Sequence, residues 1–204
     1  MIKILTLLSF FFLSLYASFD YYGKHNLDEF KDFKVYQPKS RYFKQNLSMP
    51  KGTLSQETKQ QLHKLYSYEK MVRDLLLVLS QKYDYNFMQY VAMLTHTHLL
   101  ALNQFYKKYN LKVPEDISTV GIFNSQKTKD EYKKLLKDSL KEKKIAAKLS
   151  VGFMKNLVKK YEKTSKNLPK DFKRQLLKTN AFNKKILRMF KKGLRNIELG
   201  LPVE

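Results

Sequence analysis

Apolar residues recur every three or four positions over four long stretches of the chain, and the strict alternation of a half-buried strand is hard to find. The first stretch, about Leu54 to Lys82, places Leu62, Leu65, Glu69, Val72, Leu76 and Leu79 on one helical face. Thr53-Leu54-Ser55-Gln56 fits a capping box at its start. Asp84-Tyr85-Asn86 is so short a connection that the next helix, about Phe87 to Tyr109, must return as an antiparallel neighbour. Its seam is Phe87, Val91, Leu94/Thr95, His98, Leu102 and Phe105. A third core helix spans about Lys143 to Lys163, with seam Ile145, Leu149, Gly152/Phe153 and Asn156. Asn167-Leu168-Pro169 opens the fourth, because proline is tolerated in a first turn. That helix aligns Phe172, Leu176, Thr179/Asn180, Asn183, Ile186/Leu187 and Phe190, and Gly193 is its expected stop.

The segment between the two helix pairs holds a loop, Asn110 to Ser125, and a short Lys-rich helix, about Lys127 to Lys141. Val113, Val120, Ile122 and Phe123 are placed to pin that loop to the core. The expected fold is therefore all-α, a four-helix bundle over residues 53–193 with one additional short helix. Residues 19–52, broken by Pro38, Pro50 and Gly52, read as an irregular N-terminal extension whose aromatics lie across the bundle. Residues 194–204 read as a C-terminal tail. Scarce glycine and proline (6 and 5 of 204 residues) favour long helices over a turn-rich β fold. No repeat of solenoid period, dinucleotide fingerprint, P-loop, nucleophile elbow or H-E-x-x-H is present.

The N-terminus changes the expected location. Met1-Ile2-Lys3 is a short positive region, Ile4 to Leu15 is apolar, and Tyr16-Ala17-Ser18 supplies small residues for cleavage after Ala17 or Ser18. Residues 1–18 thus have the layout of a signal peptide, and the mature chain is expected to be periplasmic or secreted. The apolar run is short of the roughly 20 residues that span a bilayer. A membrane tether is the alternative if it is not cleaved. The chain has no cysteine, which excludes disulfides, thiolate chemistry and a lipidated N-terminal cysteine.

Charge bears on partners. Forty Lys and Arg against 18 Asp and Glu give a formal +22, and only Lys3 of that excess lies in the export segment. Such a field favours an anionic partner: anionic lipid, acidic polysaccharide or an acidic protein of the envelope. Export argues against intracellular nucleic acid. The lysines also fall on the polar faces of amphipathic helices, so solvation alone accounts for many of them.

Each core seam carries a polar residue in its middle: Glu69, then Thr95 with His98, then Asn156, then Asn183. A buried carboxylate needs a partner, and His98 is the obvious one for Glu69. Helices that point carboxylates and imidazoles inward build the di-iron and di-manganese sites of bundle proteins. His96, two residues from His98, belongs to another face. His25 and His63 read as lone surface histidines, and Arg73 and Asp74 as structural pairing partners. Tyr66, Tyr68, Tyr90 and Tyr106 read as core or interface packing.

From about Leu54 to Phe190 the chain resembles an uncharacterised bacterial domain family with a ferritin-like fold. The resemblance rests on Tyr68-Glu69-Lys70-Met71-Val72-Arg73-Asp74, on Thr95-His96-Thr97-His98 followed by Tyr109-Asn110-Leu111, on Val120-Gly121-Ile122-Phe123 with Tyr132 and Leu135, and on Val151-Gly152. It implies a di-metal carboxylate site. Against the family pattern, Thr95 stands at the Glu position of Glu-x-x-His while His98 is kept. Lys155-Asn156-Leu157 replaces adjacent acidic residues, and Asn183 falls at the family's last His. Glu69 and His98 are then the residual metal ligands, and Thr95, Asn156 and Asn183 are degenerate ligand positions. Two hard cations need several carboxylates. The expected function is therefore a non-catalytic binding or scaffold role in the envelope with no cofactor. The alternative is a metal-dependent oxidoreductase or metal-storage protein using iron or manganese at a reduced Glu/His site.

Overall fold

A computed structural model describes residues 25–30, 33, 34 and 36–201. The expected signal peptide, residues 1–18, lies outside the described residues. Six α-helices carry the fold: α1 (Arg41–Ser48), α2 (Gln56–Tyr83), α3 (Asn86–Lys108), α4 (Gln126–Ser139), α5 (Lys143–Ser165) and α6 (Lys170–Glu198). The protein is an all-α helical bundle. Two-residue strands β1 (His25–Asn26) and β2 (Thr119–Val120) pair antiparallel and stitch the extension to the long loop.

The hairpin α2–α3 turns on Asp84, in the left-handed region at φ 51°, whose amide donates to the Ser80 carbonyl. Helices α5 and α6 form the second hairpin. Helix α2 packs against α3 and α5, and α5 against α6, whereas α3 and α6 touch far less. The core runs along α2, where every residue from Tyr68 to Ser80 is buried. The stacked rings of Phe105 and Phe172, 4.6 Å apart, close the core near the N-terminus of α6.

Four expectations are corrected. The α2 cap is Ser55, whose hydroxyl accepts from the Thr58 amide, not Thr53. The extension contains α1, capped by Ser40 and anchored by Phe43, whose ring meets Phe105 at 6.2 Å. Eight residues are too few for a period to stand out, yet docking on α3 and α6 stabilises the helix. Gly193 does not end α6, which runs on to Glu198. The face of α5 is rotated by about one residue: Ala146, Ser150, Phe153, Leu157 and Tyr161 are buried, while Lys155 and Asn156 are exposed.

One end of the bundle is tied by a polar knot. Asp171, in the first turn of α6, accepts from the Lys108 ammonium and, at 2.7 Å, from the Tyr109 hydroxyl. The Gly52 amide donates to that same hydroxyl at 3.1 Å. A Cβ on Gly52 would sit 2.6 Å from the Pro169 Cβ, so the chain passes here only as glycine.

Candidate functional site

Glu69, midway along α2, is fully buried. Its Oε2 accepts a 2.7 Å hydrogen bond from the Tyr161 hydroxyl of α5, and its Oε1 lies 3.4 Å from His98 Nδ1 of α3. Burial, with the adjacent carboxylate, raises the Tyr161 hydroxyl well above the ordinary phenol range, so it stays a donor. The 3.4 Å approach lacks hydrogen-bond geometry, which leaves Glu69 Oε1 and His98 Nδ1 otherwise without a hydrogen bond. The His98 ring meets Phe182 of α6 edge-on at 6.0 Å.

The structure brings together only part of the expected polar set. Glu69 and His98 meet. Thr95 is buried, but its hydroxyl donates back to the Val91 carbonyl of its own helix at 2.8 Å. Asn183 is buried on the inner face of α6, and neither end of its amide has a hydrogen-bond partner among the described residues. Asn156 points outward, and Tyr161 takes the inner position in its place. Tyr161 was missed because a tyrosine at helical spacing reads as packing. Its phase with Leu157 and Phe153 was the available signal.

A second cluster is built by the next residues of α2. The Lys70 ammonium donates to Asp74 Oδ2 at 2.7 Å and to the Ile122 carbonyl at 3.0 Å, and lies 4.3 Å from the Phe123 ring centroid. Burial lowers its pKa, and Asp74 opposes that shift. Arg73 donates to Asp74 and to the Ile117 and Thr119 carbonyls, and Asp74 also accepts from the Gly121 amide at 2.9 Å. Gly121, at φ 74°, holds the left-handed turn that aims this amide. Arg73 Nη1 is 2.9 Å from His96 Nδ1. A guanidinium only donates, so Nδ1 is the acceptor and the ring is neutral. Burial, then the Arg73 charge, lowers the His96 pKa to about 4. Every charged group here is spent on holding the 117–122 loop, the pairing role expected of Arg73 and Asp74. His63, expected at the surface, is half-buried and stacked on Tyr106 at 5.6 Å. Tyr66, Tyr68 and Tyr106 are core residues as expected, whereas Tyr90 is exposed.

Because α3 and α6 touch so little, a groove of about 500 Å³ opens between them. His98, Leu94, Thr179 and Phe182 line it, with the exposed Lys178 and Lys185, and α1 covers one end through Phe43. His98 therefore joins the interior to this groove, its side chain 16% exposed beside a Glu69 at 0%.

Residues 58–196 match the family model of an uncharacterised protein domain, DUF2202. The chain belongs to the DUF2202 family. All of Glu69, Lys70, Arg73, Asp74, His98, Gly121, Tyr161 and Asn183 fall inside the match, and α1 falls outside it. An uncharacterised protein of Methanocaldococcus jannaschii, MJ0754, is 33% identical to this DUF2202 chain over 89 residues. That stretch spans 44% of the chain and about half, 48%, of the relative. The crystal structure of MJ0754 superposes with a TM-score of 0.69 at 27% identity, covering 74% of this chain and 87% of that one.

Proposed function

We infer that this DUF2202 protein is an exported, non-catalytic binding or scaffold protein of the bacterial cell envelope, built on a ferritin-like bundle. One observation carries the reading: most charged groups of the interior are engaged by the protein itself. Tyr161 takes one oxygen of Glu69, and the Lys70–Arg73–Asp74–His96 cluster is spent on a loop. Recognition then falls to the surface, where most of the described Lys and Arg side chains are exposed. The ferritin-like assignment is supported by two long helix pairs joined by a connection that carries α4.

A dinuclear metal centre does not fit these residues. The interior cluster offers one carboxylate, and no group of three or more His, Asp or Glu side chains converges among the described residues. Binding to acidic polysaccharide or anionic lipid is expected to weaken steeply as salt rises. Equal binding at low and high salt would contradict the reading.

A second reading has one observation in its favour. Glu69 Oε1 and His98 Nδ1 face each other without a hydrogen bond, and the Asn183 amide is buried without a partner. A single iron or manganese ion at such a reduced Glu/His site would make the protein a metal-dependent oxidoreductase or storage protein. Its test is a manganese titration followed by thermal melting. A saturable rise in Tm, abolished by His98→Ala, would support it.

A further inference from the structure

The end of the bundle away from α1 combines two features that one kind of surface satisfies together. The first is a groove of about 520 Å³ between the α2–α3 turn, the start of α5 and the last turns of α6. Tyr85, Phe87, Met88, Phe190, Leu194 and Ile197 line most of it. Beside it Met189, Leu199 and Leu201 stand 52%, 60% and 51% exposed, an unusual concentration of bare apolar side chains within thirteen residues of one segment. The second feature is charge. From Lys184 to Leu201 there are six cations and one carboxylate, Glu198. Lys185, Arg188, Lys191, Lys192 and Arg195 are all exposed, and none has a carboxylate partner among the described residues. Lys192 itself lines the groove, and Lys143 lies over the Tyr85 ring at 4.7 Å.

We propose that this end of the molecule docks peripherally on an anionic lipid bilayer, with Met189, Leu199 and Leu201 entering the acyl boundary and Lys191, Lys192 and Arg195 meeting the headgroups. This rests on the reading above that the partner is anionic, and it names that partner. An acidic polysaccharide would use the cations but leave the apolar side chains in water. A bilayer uses both, since each cation near an anionic surface and each buried methylene adds to the affinity. The contact is peripheral because no helix among the described residues is long and apolar enough to cross a membrane.

The test is sedimentation of the full chain with phosphatidylglycerol-containing vesicles and with neutral phosphatidylcholine vesicles. Binding through the apolar N-terminal run is common to the natural chain and its variants, so the difference between variants in the anionic increment reads the charged surface. The triple variant Lys191→Gln/Lys192→Gln/Arg195→Gln is expected to lower that increment roughly 100-fold, each cation being worth about fivefold at a bilayer surface. The matched triple Lys133→Gln/Lys134→Gln/Lys137→Gln on α4 should change it far less. The chain has no tryptophan, so Leu201→Trp reports insertion directly. Its emission should shift blue and be quenched by brominated anionic lipid, while Leu177→Trp on the first half of α6 should not be. Equal losses in the two triples, or an unquenched Leu201→Trp, would overturn the proposal. Salt-sensitive binding to acidic polysaccharide with no anionic-vesicle increment would overturn it and leave the broader reading standing. No salt-sensitive binding to either would remove both.

Discussion

Removing a carboxylate from water is costly unless hydrogen bonds and charge compensate for it. Glu69 meets that requirement in part, through the Tyr161 hydroxyl on Oε2, while Oε1 lies near the His98 ring without a hydrogen bond. Tyr161→Phe keeps the packing and deletes the donor, so it should lower stability by about 1–3 kcal/mol in denaturant melts. The Glu69→Gln/Tyr161→Phe double variant should then cost less than the sum of the two singles. His96 gives a pH dependence. Its folded pKa of about 4 lies below the ordinary histidine value of 6.5, so the unfolded chain binds the proton more readily. The contribution of His96 is complete above pH 6.5 and is lost as pH falls towards 4. Melting curves across that window should show Tm falling faster for the natural protein than for His96→Gln. Identical slopes would contradict the buried, neutral ring.

At the scale of the elements, α2 does two jobs with neighbouring residues. Glu69 faces the bundle interior, while Lys70, Arg73 and Asp74 hold the loop before α4. Asp74→Asn leaves Lys70 and Arg73 buried with reduced compensation and should cost about 3–5 kcal/mol. Gly121→Ala forces a Cβ into the left-handed region and should cost about 1 kcal/mol. Hydrogen exchange should localise the second effect to the 117–123 loop, and a loss of protection spread evenly over the bundle would contradict the clamp. The four long helices were legible because 23 to 29 residues give periodicity many chances to repeat. The phase of α5 was not. Its inner face mixes Ala146, Ala147 and Ser150 with large residues, and small residues carry little hydrophobic signal. The one-residue error brought Asn156 inward on paper and hid Tyr161. Helix α1 was illegible for a different reason: its stability comes from Phe43 packing on Phe105 across the fold, which no local pattern records.

For the whole molecule, the dominant fact is a formal +22. Like charges over one small body repel, and added salt screens them within about 10 Å at 0.1 M. Tm should therefore rise between low and moderate salt, while affinity for anionic surfaces falls over the same range. A Tm that drops with salt would mean that surface ion pairs, such as Lys184 with Glu162, outweigh the repulsion. Charge and helical architecture were both open to the sequence. The contact of Glu69 with Tyr161 was not, because it joins residues 92 positions apart. On the proposed reading the Glu69 interior serves as polar packing, and elemental analysis of the purified protein is the decisive check. Iron, manganese and zinc should lie far below one ion per chain, with Glu69→Ala changing stability and not metal content. One or more ions per chain, lost on Glu69→Ala and on His98→Ala, would contradict it.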